Sequence, residues 1–235
     1  MRRVFILLLI LNPITGFSQE IFDAIANKDY DQISLLAKSE ANLSLRNSNK
    51  MTPLLVAANK ADFKAIKILV ENGADVNATA KAKWNALMIV CQVGDIDMAN
   101  YLIDKNADVN AQDEHYWNPM IIASRNGKAD IVAALIKKGA DVNSKALDKS
   151  TPILIASYKG HIKVVKLLLE NGALTDVVDR DKETALFLAA KYGYEEIVKL
   201  LLQYHADKSF IGTDGQTICQ AAKSNGHAEM CDLLQ

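Results

Sequence analysis

The sequence predicts an all-α solenoid of about seven helix-turn-helix units joined by β-turn fingers, with the first and last units as caps. Three observations predict it. Thr52, Asn85, Asn118, Thr151, Thr184 and Thr217 recur 33 residues apart. Each opens the same phrase, seen in Thr52-Pro53-Leu54 with Ala57-Ala58 and closed by Gly73-Ala74-Asp75-Val76-Asn77. Between the two ends lies an amphipathic stretch of helical period, such as Val164, Val165, Leu168 and Leu169. A segment this short cannot bury its apolar face alone, so each unit must stack on its neighbours.

Within a unit the elements follow in order. Thr or Asn supplies a helix N-cap, and a following Pro suits the first turn, where its missing N–H costs nothing. The Ala-Ala pair lets neighbouring helices approach closely. Gly94, Gly127, Gly160, Gly193 and Gly226 end the first helix, with Ala61 in that place in the second unit. The second helix carries Ile66, Leu69 and Val70 in one fuller unit, Ile131, Val132, Leu135 and Ile136 in another, and Ile197, Val198, Leu201 and Leu202 in a third. Gly73, Gly139 and Gly172 close it, and Asn106 and His205 take that place elsewhere. Counting one period back from Thr52 gives a degenerate cap over 19–46, without the Thr-Pro-Leu text, in which Glu40-Ala41 aligns with Gly73-Ala74. Fuller repeats span 47–79, 80–112, 113–145, 146–178 and 179–211, and a closing cap over 212–235 stops short of a full second helix.

This period and text resemble the ankyrin repeat, over nearly everything from Glu20 onward. The resemblance implies a protein-binding scaffold whose contacts lie on the turn tips and on the concave side of the first helix. Two departures stand out. The family's His after Thr-Pro-Leu is absent, with Leu55, Met88, Ile121, Leu154, Phe187 and Gln220 at its site, so apolar packing is expected to join the repeats. The Gly that the family often has two residues before Thr is replaced by Lys50, Lys83, Tyr116, Lys149 and Lys182, and survives only at Gly215. A side chain at positive φ costs roughly 1–2 kcal/mol, so these turns are expected to differ slightly from the family's.

The N-terminus is read separately. Met1-Arg2-Arg3 is cationic, Val4 to Leu11 is unbroken apolar sequence, and Gly16-Phe17-Ser18 offers small residues at −3 and −1 before Gln19. That order predicts a signal peptide over 1–18, cleaved on export to the periplasm or beyond. Spanning a bilayer takes about 20 apolar residues, and this run is far shorter. A formal net charge of −1 gives no general attraction to nucleic acid or to an anionic membrane. Lysines at the turn tips stand among Asp113, Glu114, Asp148, Asp179, Asp181 and Glu183, which reads as a mixed-charge solvated edge and not as a polyanion comb.

Three cysteines form no metal or CxxC pattern. Cys91 replaces the second Ala of its repeat and lies roughly 40 Å from Cys219 if helices stack at about 10 Å. Cys219 and Cys231 occupy core positions on the two helices of the last repeat. With Cys219 read as far from the connecting turn and Cys231 as near it, the expectation is two buried thiols beyond disulfide reach, an oxidised pair being the alternative.

No nucleophile elbow, phosphate-binding glycine loop or HExxH occurs, and the four histidines make no metal set. His161 and His227 fall at the family's structural Gly-His position, and only His115 is in a turn tip. No enzyme activity, cofactor or metal is expected. The residues just before the caps are Met51, Trp84, Trp117, Ser150, Glu183 and Gln216, so both tryptophans stand at one variable site in adjacent repeats. Tyr116 and His115 lie beside Trp117, while Arg125, Tyr158 and Tyr192 precede the Gly of their first helices. Met51, Trp84, His115, Tyr116, Trp117, Arg125, Tyr158 and Tyr192 are therefore the expected partner-binding residues, because aromatics and Arg anchor protein interfaces. The alternative is that each Trp merely covers the adjacent turn. The expected protein is a monomeric, non-catalytic interaction module, similar to exported bacterial ankyrin-repeat proteins, with a protein partner, no nucleic acid and no membrane contact after cleavage. Alternatives are a secreted effector acting on host proteins, or an accessory protein that stabilises or inhibits a periplasmic enzyme.

Overall fold

The computed structural model describes residues 17–235, and they divide into two compact units that meet in sequence between Asp75 and Val76. The expected apolar run and Gly16 of the expected cleavage site lie outside the described residues. Helix α1 opens at Phe17, so the expected cut after Ser18 falls in its first turn.

The first unit contains α1 (Phe17–Asn27), α2 (Tyr30–Leu36), α3 (Glu40–Leu43), α4 (Pro53–Asn59) and α5 (Phe63–Glu71). Helix α1 packs on α2 and α4, and α2 packs on α5. Asp29 and Asp62 cap α2 and α5 by accepting the N–H groups of Gln32 and Ala65. The Tyr30 hydroxyl reaches Asp62, and Lys64 lies over the Tyr30 ring at 4.1 Å, which ties the two repeats at this edge. Glu40-Ala41, which aligns with Gly73-Ala74, begins the single turn α3, opened by Ser39 in extended conformation.

The second unit holds five helix pairs. These are α6 (Ala86–Val93) with α7 (Ile96–Asp104), α8 (Pro119–Arg125) with α9 (Ala129–Lys137), and α10 (Pro152–Tyr158) with α11 (Ile162–Glu170). Then follow α12 (Ala185–Lys191) with α13 (Glu195–Gln203) and α14 (Ile218–Ser224) with α15 (Met230–Leu233). First helices stack in the order α6, α8, α10, α12, α14, and second helices stack beside them. The residues standing where the family has His are buried at Met88, Ile121, Leu154 and Phe187. Caps form as the sequence predicts at Asn85, Asn118, Thr184 and Thr217, whereas the Thr151 side chain caps nothing.

Apolar packing is not the whole of the tie between repeats. The Asn that ends each Gly-Ala-Asp-Val-Asn phrase reaches the next repeat with both arms of its amide. Asn77 donates to the Asn106 carbonyl and accepts from Asp108 N–H, at 3.1 and 2.9 Å. Asn110 does the same with Gly139 and Asp141, and Asn143 with Gly172 and Leu174. Asp176 takes the fourth place and only accepts, from Asp207 N–H at 3.0 Å. A carboxylate has no donor for the carbonyl of His205, which stands where Gly139 and Gly172 stand.

The glycines that end the first helices are held from outside as well. At Gly127 (φ +65°) an added Cβ would lie 2.7 Å from Nδ1 of His161, whose Nε2 donates to the Arg125 carbonyl at 3.0 Å. His161 is thus a strut between repeats, in keeping with the structural role expected of it. Lys128, Tyr194 and His227 cover Gly94, Gly160 and Gly193 in the same way.

Two expectations are corrected here. The finger turns do not evade positive φ: Lys50, Lys83, Tyr116, Lys149 and Lys182 all adopt it, between 57° and 64°. Within the second unit the reason is hydrogen bonding, because each finger closes on itself, as in Ala146 N–H to Ser150 carbonyl, and the fingers at 113–117, 146–150 and 179–183 also pair with the finger before them. Leu147 N–H bonds the His115 carbonyl and Arg180 N–H the Asp148 carbonyl, at 2.9 Å each. The turn that permits this closes with a left-handed residue whatever its side chain. Cys219 and Cys231 are bonded to each other, with Cα atoms 4.8 Å apart. Asn225, the C-cap of α14, lies midway between them in sequence, and residues equidistant from the turn face each other across an antiparallel pair. Both cysteines are half-buried and not part of a closed core.

Asp176→Asn should restore the missing amide arm and raise stability by about 0.5–1.5 kcal/mol, whereas Asn110→Ala should lower it by a similar amount or more. Urea unfolding of both variants checks this, and a loss of stability in Asp176→Asn would contradict the ladder. The Cys219–Cys231 loop of sequence separation 12 is short enough that its bridge contributes about 3 kcal/mol in the chain-entropy account. Because a repeat feels mainly its neighbours, reduction should speed amide exchange over 218–235 while leaving α6 to α11 unchanged.

Candidate functional site

The surface formed by the fingers and first helices of the second unit gathers most of the residues expected to bind a partner. Each Trp precedes an Asn cap, and its carbonyl accepts the finger's closing hydrogen bond, from Ala80 to Trp84 and from Asp113 to Trp117. Trp84 donates from Nε1 to Oδ2 of Asp113 at 3.1 Å. The other oxygen of Asp113 accepts the N–H groups of His115 and Trp117, both at 2.8 Å. The buried Asp113 carboxylate therefore organises one finger and holds the indole of the preceding one. Trp117 leans on Ile121, Ala146 and Ile155, and the Arg125 guanidinium lies over its ring at 5.0 Å. Trp84, Trp117 and Arg125 share a cavity of about 360 Å³ with Gln92, Ile122 and Asn126.

A larger groove of about 510 Å³ opens two first helices further on, beside α10 and α12. Leu154, Ile155 and Leu188 are its apolar lining. Tyr158 and Tyr192 meet edge to face with centroids 5.1 Å apart, and both remain about two-fifths exposed. Asp148, Asp179, Asp181 and Glu183 complete the lining, with Lys191 the one basic side chain among these residues. Lys191 is bonded to Glu183 at 2.7 Å, and that bond holds its ammonium pKa above the usual lysine range. Burial, with the neighbouring Glu183 and Asp181 charges adding to it, raises the Asp179 carboxyl against the pull of its backbone hydrogen bonds. Burial likewise raises the Tyr192 phenol. Among the described residues no group of three or more His, Cys, Asp and Glu is arranged to hold a metal ion.

The helix pairs, the fingers and this surface are those of a known repeat. A family model described as ankyrin repeats (3 copies) matches residues 21–113, 58–146, 120–212 and 155–235. The chain belongs to the ankyrin-repeat family. A search of curated proteins found no match. Ankyrin repeats indicate a protein–protein interaction module.

In this ankyrin-repeat protein the expected residues fall into two groups and three outliers. Trp84, Trp117 and Arg125 come together, as do Tyr158 and Tyr192. His115 lies with Trp117, Leu147, Asp148 and Arg180 in a smaller cavity of about 200 Å³. Tyr116 is half exposed at the left-handed position of its turn. Met51 belongs to the first unit, where its N–H bonds the Asn47 side chain. The tryptophans are half-buried: they brace their turns as well as line a cavity. The sequence reading of a mixed-charge solvated edge includes the carboxylates that line the larger groove. Two of them, Asp148 and Asp181, stand one period apart in register.

Trp117→Ala should destabilise the protein by at least ~2 kcal/mol through lost packing on Ile121, Ala146 and Ile155. Arg125→Ala, which removes only the side chain over the ring, should stay within about 1 kcal/mol of wild type. Paired thermal unfolding of the two variants checks the division between brace and contact.

Proposed function

We propose that this ankyrin-repeat chain is an exported, non-catalytic module that holds a protein partner against the fingers and first helices of its second unit. The observation that carries the reading is the series of large side chains left partly open along that surface: Trp84, Trp117 and Arg125, then Tyr158 and Tyr192. Aromatics and arginine on a rigid support lose little freedom on binding and bury much area, which makes them efficient anchors. His115 and Tyr116 extend the surface at the finger between the two groups. The scaffold behind it is fixed by the Asn ladder and the finger hydrogen bonds, so a partner meets a preformed face.

Export is supported by two independent features. The order of charge, apolar run and small residues over 1–18 suits a signal peptide. The Cys219–Cys231 bridge suits an oxidising compartment, where disulfides persist. Cys91, fully buried, has its thiol pushed well up by desolvation, which withholds the thiolate from oxidation. Among the described residues no helix is long and apolar enough to cross a membrane.

Fractionation of cells expressing the full chain, with mass spectrometry of its N-terminus, tests export. A mature chain beginning at Gln19 and carrying the intact disulfide is the expected result; recovery in the cytoplasm beginning at Met1 overturns it. Recovery from the culture medium in place of the periplasm would favour action on host proteins. For binding, partner capture should fall on changing Arg125, Tyr158 and Tyr192 together to Ala. Capture unaffected by that triple change moves the interaction off this surface.

A further inference from the structure

We propose that the groove between the fingers at 146–150 and 179–183 takes an extended protein segment carrying lysine or arginine, with the cationic head among the groove's carboxylates and its methylene stem on Tyr158 and Tyr192. This rests on the interaction-module reading and names the chemistry of the partner at that site.

Charge carries the choice of occupant. Four carboxylates line the groove against one lysine, and that lysine is already bonded to Glu183. Asp148, Asp179 and Asp181 have no salt-bridge partner among the described residues. The causes acting on Asp179 include two like charges and no cation, so an incoming positive charge would relieve a repulsion already built in. The tyrosine pair gives that charge a second reason to settle here. Lys159 lies over the Tyr158 ring at 4.6 Å and Lys191 near Tyr192 at 5.9 Å, so these faces already attract ammonium groups. The apolar lining of Leu154, Ile155 and Leu188 fits the stem of a long basic side chain, whose carbon atoms bury while its head stays among polar groups.

Other occupants fit less well. The carboxylates ring a groove of about 510 Å³ and do not converge as metal ligands, so a bare divalent cation finds no chelating set. Phosphate-bearing partners, nucleic acid and anionic lipid alike, are repelled by the same charges. The cavity at Trp84 and Trp117 has Arg125 and no carboxylate in its lining, so the preference for a basic segment does not extend to it.

Asp179 and Asp181 can be neutralised without dismantling the finger. Asp179 accepts the Glu183 N–H, and Asn47, four periods earlier in the same register, accepts the Met51 N–H with an amide oxygen. Asp181 is exposed. The test uses a fluorescent octapeptide alternating Lys and Ser, its Glu–Ser analogue, the full mature chain and the variant Asp179→Asn with Asp181→Asn. The Lys peptide should bind, the Glu peptide should not, and the double variant should weaken binding about tenfold. Binding should also fall as salt rises from about 50 to 300 mM, as expected for charges screened within a Debye length. Asp181→Asn alone, at an exposed site, provides a variant with unchanged thermal midpoint and a smaller loss in the same direction. Equal binding of the two peptides, or a double variant that binds the Lys peptide as wild type does, overturns the proposal. If natural-partner capture depends on Arg125 and the tyrosines but not on Asp179 and Asp181, the groove's charge preference fails while the module reading stands. If capture depends on none of them, both fail.

Discussion

In the second unit α8, α10 and α12 each bury two faces, one against the first helix before and one against the first helix after. Met88, Ile121, Leu154 and Phe187 sit at the centre of that stack with almost no exposure, and the small residues beside them let the helices close on one another. A single repeat has no interior, so its stability exists only as an interface with a neighbour. The other ties follow from that constraint. The Asn amides span one repeat to the next, His161 fastens the end of α8, and the fingers pair main chain to main chain. They fix the rotation and spacing of repeats that apolar packing by itself would let slide.

The last described helix pair is held by further bonds. On helix α14, Cys219 and Gln220 are open where Leu186 and Phe187, one period earlier, are buried. Thr217 and Gln220 close a reciprocal capping box, and the disulfide joins α14 to the short α15. A covalent tie across this pair limits its local opening.

Rigidity of the stack is what makes the finger surface usable. Non-glycine residues hold left-handed turns at Lys83, Tyr116, Lys149 and Lys182, each at a cost of roughly 1–2 kcal/mol. The hydrogen bonds that offset this cost place successive fingers in register. That register converts residues far apart in sequence, such as Asp148 and Asp181, into neighbours around one groove. It also gives Asp113 two tasks, organising its own finger and holding the indole of Trp84. Contact and support are therefore mixed in the same side chains on this face.

Much of the fold was legible in the chain because a 33-residue period reports the repeating interface directly. The caps at Asn85, Asn118 and Thr184, the buried stripe of Val164, Val165 and Leu168, and the helix ends at Gly127 and Gly160 all follow from local chemistry. The sequence also singled out the aromatic residues that the structure gathers beside the fingers, since they occupy variable places in an otherwise fixed phrase. What it did not decide were relations between repeats or across a turn. Whether Lys149 could occupy a left-handed turn depended on hydrogen bonds from its own finger and the fingers beside it. Whether Cys219 could reach Cys231 depended on their equal distance from the α14 cap. Whether four carboxylates formed a solvated edge or the wall of a groove depended on how two fingers stand against α10 and α12. The sequence by itself determined what each repeat is made of, because helices, caps and apolar stripes are set by neighbours in the chain. Only the tertiary structure decided what the repeats make together, because charge, burial and bond reach are set by distances in space.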